Sequence, residues 1–393
     1  MTGKFRGVGR WLWLSLVILC GTGLSLRAQL QPTFGNFSVG RGEVLKHSDN
    51  QNNYTDLGTI SYQSFTLDAG LEASSVFTWA DAFDNPKTGL TFLGSRFSDP
   101  SIDYVLGLLV FISKEYALFN SPVFWYYHVG YGLTYTGNTF NQETNYSNET
   151  VSTRVNASTN LRTGLGIRFA ENWRLRLGGS LLHSSNVGVR KPNFGINQYE
   201  LMLGLGYQFR ADKPPLEPKE STLPEQEFLL MGHIGPRQVA YEDPYLAVYD
   251  IDVEYNRMIN RVIRLGLGMT LMEDGIAYEH KKYLEPVEGE VYESLGFFEA
   301  LTFGTHLNLE LAFNRLSLVG QVGYYWKHPH RDIRQEPNLP VDYSEYMDYH
   351  NEHYIYNRIG YRYRHKSGLV ISLIGKTQLF KIQYTSLGLG YSF

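Results

Sequence analysis

The chain contains almost no cysteine. Among its 393 residues the single example is Cys20, which lies in an apolar run near the N-terminus. We expect that run to be removed during export, which would leave the mature protein without a thiol. Disulfide bonds and thiolate chemistry are then excluded from the mature chain.

The chain also lacks an excess of positive charge and long apolar stretches. The formal net charge is −4 and the mean hydropathy is −0.27. Because the chain lacks a broad basic field, nucleic acid is not an expected partner. No stretch after residue 30 has the roughly 20 apolar residues that a membrane helix needs. A membrane location would therefore require another kind of spanning structure.

The first 28 residues have the layout of a secretory signal peptide. Basic residues within the first ten positions precede an uncharged run from Trp11 to about Leu26, and Ala28 follows. We expect cleavage between Ala28 and Gln29. Lipid attachment at Cys20 is a disfavoured alternative, because the preceding Val-Ile-Leu does not suit such a site. The sequence thus predicts an exported protein.

Aromatic residues and glycine are abundant, and polar and apolar residues alternate. The chain has 29 Tyr, 22 Phe and 39 Gly. In 245–256 and 301–313 the odd positions are mostly apolar and the even positions mostly polar, and 151–169 shows the same period of two. These runs exceed the roughly 5–6 residues of a soluble strand. We predict an all-β fold, an antiparallel transmembrane β-barrel of about 14–16 strands.

Short and long connections alternate along the chain. The short ones are turns at 170–172, 259–261, 314–315 and 366–368, and the long polar links lie near 136–149, 275–295 and 327–353. Outer-membrane barrels have short periplasmic turns and long extracellular loops. The last strand alternates up to Phe393, which resembles the C-terminal signal of such barrels. The predicted location is the bacterial outer membrane.

One segment interrupts the strand pattern. Residues 211–227 are rich in proline and charge, which indicates a periplasmic turn or linker between residues 29–210 and residues 228–393. The sequence Leu-Gly-Leu-Gly-Tyr occurs at 203–207 and again at 387–391. We favour one barrel over residues 29–393, because so short a linker fits a periplasmic turn. Two small barrels in tandem are the alternative.

A polar group continues the outward face of a predicted hairpin near residues 183–197. His183 and Ser185 follow the parity of Leu177 and Leu181, and Asn197 has the parity of the outward residues on the returning strand. Cross-strand neighbours on one face have Cβ atoms about 4.5–5.5 Å apart. Polar side chains on a lipid-facing wall are costly unless they bond each other or a ligand. The pattern predicts a site on the outer wall, near the outer rim.

The His-x-Ser-Asn run at 183–186, followed by Pro-Asn-x-Gly at 192–195, resembles the lipid A 3-O-deacylase (acyloxyacyl hydrolase) family of outer-membrane β-barrels. The resemblance covers roughly residues 75–210 and is to a divergent branch with a longer barrel. It implies an esterase that removes a fatty-acyl chain from lipid A, the anchor of lipopolysaccharide, in the outer leaflet. We expect no cofactor and no metal.

The resemblance also implies roles for individual residues. Ser185 is the implied nucleophile and His183 the general base, whereas Asn193 is the implied oxyanion donor with Asn186 beside it. The family's orienting residue is Glu, and here Asn197 stands in that place. An amide can still fix the tautomer of an imidazole, but it stabilises an imidazolium less well than a carboxylate does.

A non-catalytic interpretation stays open. Ser-Ser-Asn and Pro-Asn-x-Gly are ordinary turn compositions, so His183 and Ser185 can simply begin an extracellular loop. The protein would then be a pore or a structural or binding barrel. A single barrel of about 16 strands would leave room for a water-filled lumen.

Two further groups have side chains of metal-binding type. They are His328, His330, His350 and His353 in one predicted loop, and Asp250, Asp252 and Glu254 on one wall. The histidines lack the fixed spacing of a metal site and fit a solvated loop. The acids can attract cations, but ordinary lumen polarity explains them equally well.

Overall fold

The computed structural model describes eight parts of the chain, namely residues 31–45, 60–212, 214–217, 223–238, 244–278, 295–329, 353–378 and 381–393. The predicted signal peptide and most of the predicted long links near 275–295 and 327–353 lie outside these residues. His330 and His350 lie outside them as well. The chain divides into two compact units, one around each of two barrels.

The first barrel is closed and antiparallel. Its strands are β1 (Phe34–Val44), β2 (Ser61–Glu72), β3 (Lys87–Phe97), β4 (Tyr104–Ala117), β5 (Val123–Thr136), β6 (Val155–Arg168), β7 (Trp173–Ser185) and β8 (Ile196–Gln208). Each strand pairs with the next along the chain. Pairing of β8 with β1 closes the sheet and leaves no free edge.

The second barrel repeats this architecture. Its strands are β9 (Gln226–Arg237), β10 (Leu246–Met258), β11 (Ile263–Asp274), β12 (Leu301–Phe313), β13 (Leu316–Lys327), β14 (Ile355–Arg364), β15 (Leu369–Gln378) and β16 (Lys381–Ser392). Pairing of β16 with β9 closes it. The fold class and the upper value of the predicted strand number are therefore confirmed.

The preference for one barrel is wrong, and the alternative of two barrels in tandem is right. The Leu-Gly-Leu-Gly-Tyr repeats lie in β8 and β16, the two strands that close the barrels. Eight strands enclose a space that side chains can fill. The water-filled lumen was expected for a single wide barrel, so it is not expected for either of these eight-stranded barrels.

Helical structure among the described residues is sparse. It includes 3₁₀ turns at Ala73–Ser75 and Ala80–Phe83 and the short helix α1 (Phe297–Ala300). In this part of the chain no helix has both the length and the apolar character to cross a bilayer. All four predicted tight turns are confirmed, because each lies between two consecutive strands; in the last one, Gly368 has a φ of +88°.

The alternation of residue types sets the two faces of each strand. On β8, Leu201 is 74% exposed and Leu203 is 51% exposed, whereas Gln198 and Glu200 are buried in the interior. A strand sends successive side chains to opposite faces, so one apolar series covers the whole outer wall. That arrangement suits lipid outside and a polar core inside.

The polar core of the first barrel is linked by charge. Arg162 Nη1 donates to both carboxylate oxygens of Asp68 at 3.2 Å, and Thr91 Oγ1 donates to Asp68 Oδ1 at 2.6 Å. Nearer the short turns, Glu115 accepts from Arg176 Nη2 at 2.5 Å and from Arg168 Nη2 at 3.2 Å. Pairing of this kind offsets the cost of burying charges.

The second barrel has a denser ion network. Arg362 donates to both carboxylate oxygens of Glu254 at 2.9 Å and to Glu310 Oε1 at 2.5 Å. Glu227 accepts from Arg364 Nε at 2.8 Å and from Arg264 Nη1 at 2.6 Å. The side chains of Arg362 and Glu254 are both fully buried. Charged groups therefore fill this lumen and bond mainly to one another.

Candidate active site

The hairpin of β7 and β8 carries the predicted site at its outer end. In the register of the two strands His183 lies directly opposite Asn197. His183 is exposed on the outer wall, continuing the series of Leu177 and Leu181. Between His183 and Ser185, Ser184 points inward and accepts a hydrogen bond from Ser158 Oγ at 2.7 Å. Because successive side chains of a strand alternate, His183 and Ser185 have the opposite parity to the inward Ser184.

The two opposed side chains are bonded to each other. His183 Nδ1 lies 2.6 Å from Asn197 Oδ1. An amide oxygen only accepts, so Nδ1 must carry the proton in this bond. The lone pair of the neutral ring is then on Nε2. This is the tautomer that a general base needs if it is to take a proton through Nε2.

Ser185 forms a second pair, with Asn193. Asn193 Nδ2 donates to Ser185 Oγ at 2.9 Å, and Asn193 Oδ1 accepts from the backbone N–H of Asn186 at 3.0 Å. The backbone of Asn186 thereby turns the amide so that its N–H group faces the hydroxyl. Ser185 is only 5% exposed. The serine thus lies beside a fixed hydrogen-bond donor.

The side chain of Asn186 has different hydrogen-bond partners from that of Asn193. It is fully buried, and its Nδ2 donates to Arg190 O at 2.7 Å and to Ser152 Oγ at 3.2 Å. Of the two predicted oxyanion donors, only Asn193 presents its side-chain amide to Ser185. The contacts of Asn186 hold the loop that carries Asn193.

The connection between β5 and β6 supports the same loop from the other side. The backbone N–H of Gly195 donates to Thr150 O at 2.7 Å, and that of Phe194 donates to Glu149 O at 3.3 Å. Ser152 Oγ also donates to Arg190 O at 3.0 Å. Sequence reasoning missed these supports, because no spacing connects residues 149–152 to residues 190–195.

Gly195 is a further residue of the site whose place the sequence does not reveal. Its φ is +81°, and a Cβ built on it would lie 2.6 Å from His183 Cε1 and 3.3 Å from His183 Nδ1. The imidazole therefore packs directly on the glycine. Its place in the Pro-Asn-x-Gly run is the only signal in the sequence, and that run is equally typical of a turn.

We expect the substitution Gly195→Ala to lower kcat for the site's reaction by about 10²-fold, since a displacement of about 1 Å has that effect on a positioned group. The added methyl group would push the imidazole away from Asn197. Gly179→Ala is the matched control on β7, because its Cβ would meet nothing closer than Glu200 O at 3.7 Å. Steady-state rates of ester hydrolysis compare the two variants. Equal rates would show that the position of the imidazole is unimportant.

Two family matches cover most of the chain. Residues 26–206 match the family described as "Lipid A 3-O-deacylase (PagL)", and residues 225–337 match "Acyloxyacyl hydrolase, C-terminal domain". Residues 26–206 belong to the lipid A 3-O-deacylase family. The suspected resemblance is thereby confirmed. Members of this family hydrolyse ester bonds of lipid A, so the protein is an outer-membrane lipid A deacylase and a hydrolase.

Solved structures provide a separate comparison. Neisserial surface protein A is 13% identical, with 45% of this chain and 96% of that chain covered and a TM-score of 0.32. The outer membrane enzyme PagL is 15% identical, with 43% and 97% covered and a TM-score of 0.29. A search of curated proteins returns no match. The assignment to the deacylase family rests on the two family matches.

The second barrel of this deacylase contains a buried cluster with metal-ligand chemistry. His233 Nδ1 lies 2.7 Å from Asp250 Oδ1 and 3.4 Å from Asp252 Oδ2. Arg358 Nη1 donates to Asp252 Oδ2 at 2.8 Å, and Arg358 Nη2 lies 3.8 Å from Asp250 Oδ1. The guanidinium supplies positive charge to both carboxylates. The predicted row of acids is thus part of the ion network of the lumen.

The predicted histidine group is only partly described. His328 is buried, and its ring packs edge-on against Tyr325 with centroids 4.9 Å apart. His353 is described as well, and the two other histidines lie outside the described residues. An aromatic packing role accounts for His328.

Proposed function

We propose that Ser185 is the nucleophile of the lipid A deacylase and that it acts with His183 on the outer, lipid-facing wall of the first barrel. One observation carries the proposal: a histidine bonded to Asn197 lies two residues from a serine bonded to Asn193. Residues i and i+2 of a strand share a face and are roughly 6–7 Å apart. An imidazole can span much of that distance, which brings a base toward the hydroxyl.

In the first step Ser185 Oγ attacks the carbonyl carbon of the acyl ester, and His183 Nε2 takes the hydroxyl proton. The carbonyl oxygen becomes an oxyanion, and Asn193 Nδ2 donates a hydrogen bond to it. The intermediate collapses when the sugar alkoxide leaves and receives the proton from His183. The products are a free sugar hydroxyl and a fatty-acyl ester of Ser185.

Water completes the reaction. His183 removes a proton from a water molecule, which attacks the carbonyl carbon of the acyl-enzyme. The second tetrahedral intermediate is stabilised by the same amide of Asn193. Its collapse releases the fatty acid, and the proton returns to Ser185 Oγ. The atoms balance to one ester and one water giving one alcohol and one acid.

The location of these side chains suits a membrane substrate. The ester bonds of lipid A lie where the head group meets the acyl chains. His183 is exposed near the outer end of β7, and Leu181 and Leu177 cover the wall below it. An acyl chain lying against these leucines would keep its contacts with apolar surface. The ester would then be at the level of Ser185.

Asn197 is expected to limit the rate, because a neutral amide stabilises the imidazolium less than a carboxylate does. Asn197→Glu should raise kcat about tenfold, since a charge-assisted hydrogen bond adds roughly 1.4 kcal/mol. Asn197→Leu should lower kcat about 10²-fold, since the imidazole loses its fixed orientation. Fatty-acid release from lipid A by the purified variants measures both effects. Unchanged rates in both variants would remove Asn197 from the mechanism.

Mass spectrometry of lipid A from cells tests the proposed function. Cells that express the wild type should contain lipid A lighter by one fatty-acyl group than lipid A from cells without the protein. Cells with equal amounts of folded Ser185→Ala or His183→Ala should retain the full acyl pattern. Lighter lipid A in cells with either variant would contradict the proposed roles.

A further inference from the structure

A polar crevice opens among the outer loops of the first barrel. Its volume is about 560 Å³. It lies between the β3–β4 connection, at residues 99–101, and the β5–β6 connection, at residues 137–147, and Arg154 completes its lining. Amide and hydroxyl groups make up most of this surface. Nothing in the proposed ester hydrolysis uses it.

Hydrogen bonds join the two connections across the base of the crevice. Asn138 Nδ2 donates to Pro100 O at 2.7 Å, and Asn145 Nδ2 donates to Ser101 O at 2.8 Å. The buried Asn148 donates to the same Ser101 oxygen at 2.7 Å. These bonds fix the separation of the two walls, so the crevice is a built feature of the barrel mouth.

Arg154 is the one basic residue and Asp99 the one acidic residue among the described residues that line the crevice. Arg154 Nη1 donates to Tyr135 Oη at 2.8 Å, which is a neutral partner. Asp99 Oδ1 accepts from the backbone N–H of Ser101 at 2.7 Å. Among the described residues that line the crevice, no carboxylate forms an ion pair with Arg154. A guanidinium with unused N–H groups matches the geometry of a phosphate.

The crevice and the candidate active site are built on one loop. Residues 137–147 of the β5–β6 connection line the crevice. Residues 149–152 of the same connection support the active-site loop. Thr150 O accepts from Gly195, which packs against His183. A lipid whose head group is bound by residues 137–147 would therefore have its acyl chains near residues 149–152 and the active-site loop that they support.

We propose that this crevice binds the phosphorylated saccharide head group of the lipid substrate, with Arg154 on a phosphate oxygen and with asparagine and hydroxyl groups on the sugar. This inference rests on the proposed function, because it deepens the recognition of the same substrate. Amide and hydroxyl side chains can hydrogen-bond the hydroxyls of a sugar. The crevice selects the head group, whereas Ser185 acts on the acyl ester.

The test is equilibrium binding of the glucosamine disaccharide bisphosphate, stripped of all acyl chains, to the full-length protein in detergent. Arg154→Gln should raise Kd about tenfold or more, because hydrogen bonds between charged groups are lost. Arg96→Gln is the matched control, since Arg96 is an exposed arginine near the same rim that pairs with Asp103. The disaccharide without phosphates should bind weakly to the wild type and equally to Arg154→Gln.

Binding and turnover separate the two proposals. Ser185→Ala should bind the bisphosphate as the wild type does, although its release of fatty acid from lipid A should be at least about 10³-fold slower. Equal Kd values for the wild type and Arg154→Gln, or no binding to the wild type, would overturn the crevice assignment. A wild-type protein that binds the bisphosphate but releases no fatty acid from lipid A would instead contradict the proposed function.

Discussion

Ser185→Ala should lower kcat for fatty-acid release from lipid A by at least about 10³-fold, because the covalent route is lost with its nucleophile. His183→Ala should have a similar effect, since the hydroxyl of Ser185 is a weak nucleophile without a base. The double variant should be about as slow as either single variant, because the two residues act as a unit. Titration of released fatty acid from lipid A in mixed micelles, with the purified protein, measures all three.

Ser184→Ala is the matched control for these variants. Ser184 is the neighbour of both residues, but its hydroxyl bonds to Ser158 inside the barrel. Its loss should change kcat by less than about threefold, because Ser158 retains its bond to Thr134 at 2.7 Å. If Ser184→Ala were as slow as Ser185→Ala, the reacting hydroxyl would have to lie on the other face of the strand.

Arg362→Met should destabilise the second barrel by about 3–5 kcal/mol, because the buried Glu254 loses its arginine partner and the buried Glu310 keeps only Arg364. Arg362 donates to Glu254 and Glu310, and the side chains of all three residues are fully buried. The desolvation cost of both carboxylates remains after the guanidinium is removed. The expected result is a large decrease in the urea concentration at the midpoint of unfolding.

Trp326 gives a specific signal for this measurement, since it is the only tryptophan between residues 223 and 393. Trp79, Trp125 and Trp173 are replaced by Phe in the mature chain so that fluorescence follows the second barrel. Arg257→Met is the control, because the side chain of Arg257 is 58% exposed and its ion pair with Glu225 spans 3.5 Å. Such an exposed pair contributes about 0–1 kcal/mol. Equal midpoints for the two variants would argue against the ion network as a source of stability.

Strand positions and faces could be predicted from the sequence because they depend on local alternation. On β12 (Leu301–Phe313), Phe303, Leu307 and Leu309 face outward and Asn308 and Glu310 are buried, as the period of two requires. A lipid-exposed wall and a polar interior impose opposite demands on neighbouring residues. Because of that contrast, the positions and faces of the strands can be recognised from a single sequence.

The number of barrels could not be predicted in the same way. An edge strand of an open sheet and a strand that closes a barrel have the same alternation. Closure depends on pairing between residues far apart in the chain, such as Phe34 with Gln208 and Leu230 with Tyr391. The repeat in β8 and β16 is the sign of two closures in the sequence, whereas the shortness of the linker favours one barrel.

Only part of the candidate site could be predicted from the sequence. The pairing of His183 with Asn197 follows from strand parity and hairpin register, which the sequence indicates. The contact between Asn193 and Ser185 depends on how the β7–β8 loop folds back, and residues 149–152 determine that path. A loop conformation supported by another loop leaves no periodic signal. For this reason the sequence alone does not show that Gly195 contacts the imidazole of His183.

The central claim, that Ser185 is the acylated nucleophile on the outer wall, is tested most directly by covalent labelling. The purified protein is treated with a long-chain alkyl fluorophosphonate, and its peptides are analysed by mass spectrometry. We predict that the peptide containing Ser185 gains the mass of the alkylphosphonyl group as fluoride leaves, that His183→Ala is labelled much more slowly, and that Ser185→Ala is unlabelled. Labelling of another residue, or an unlabelled Ser185 in a protein that hydrolyses lipid A, would contradict the mechanism.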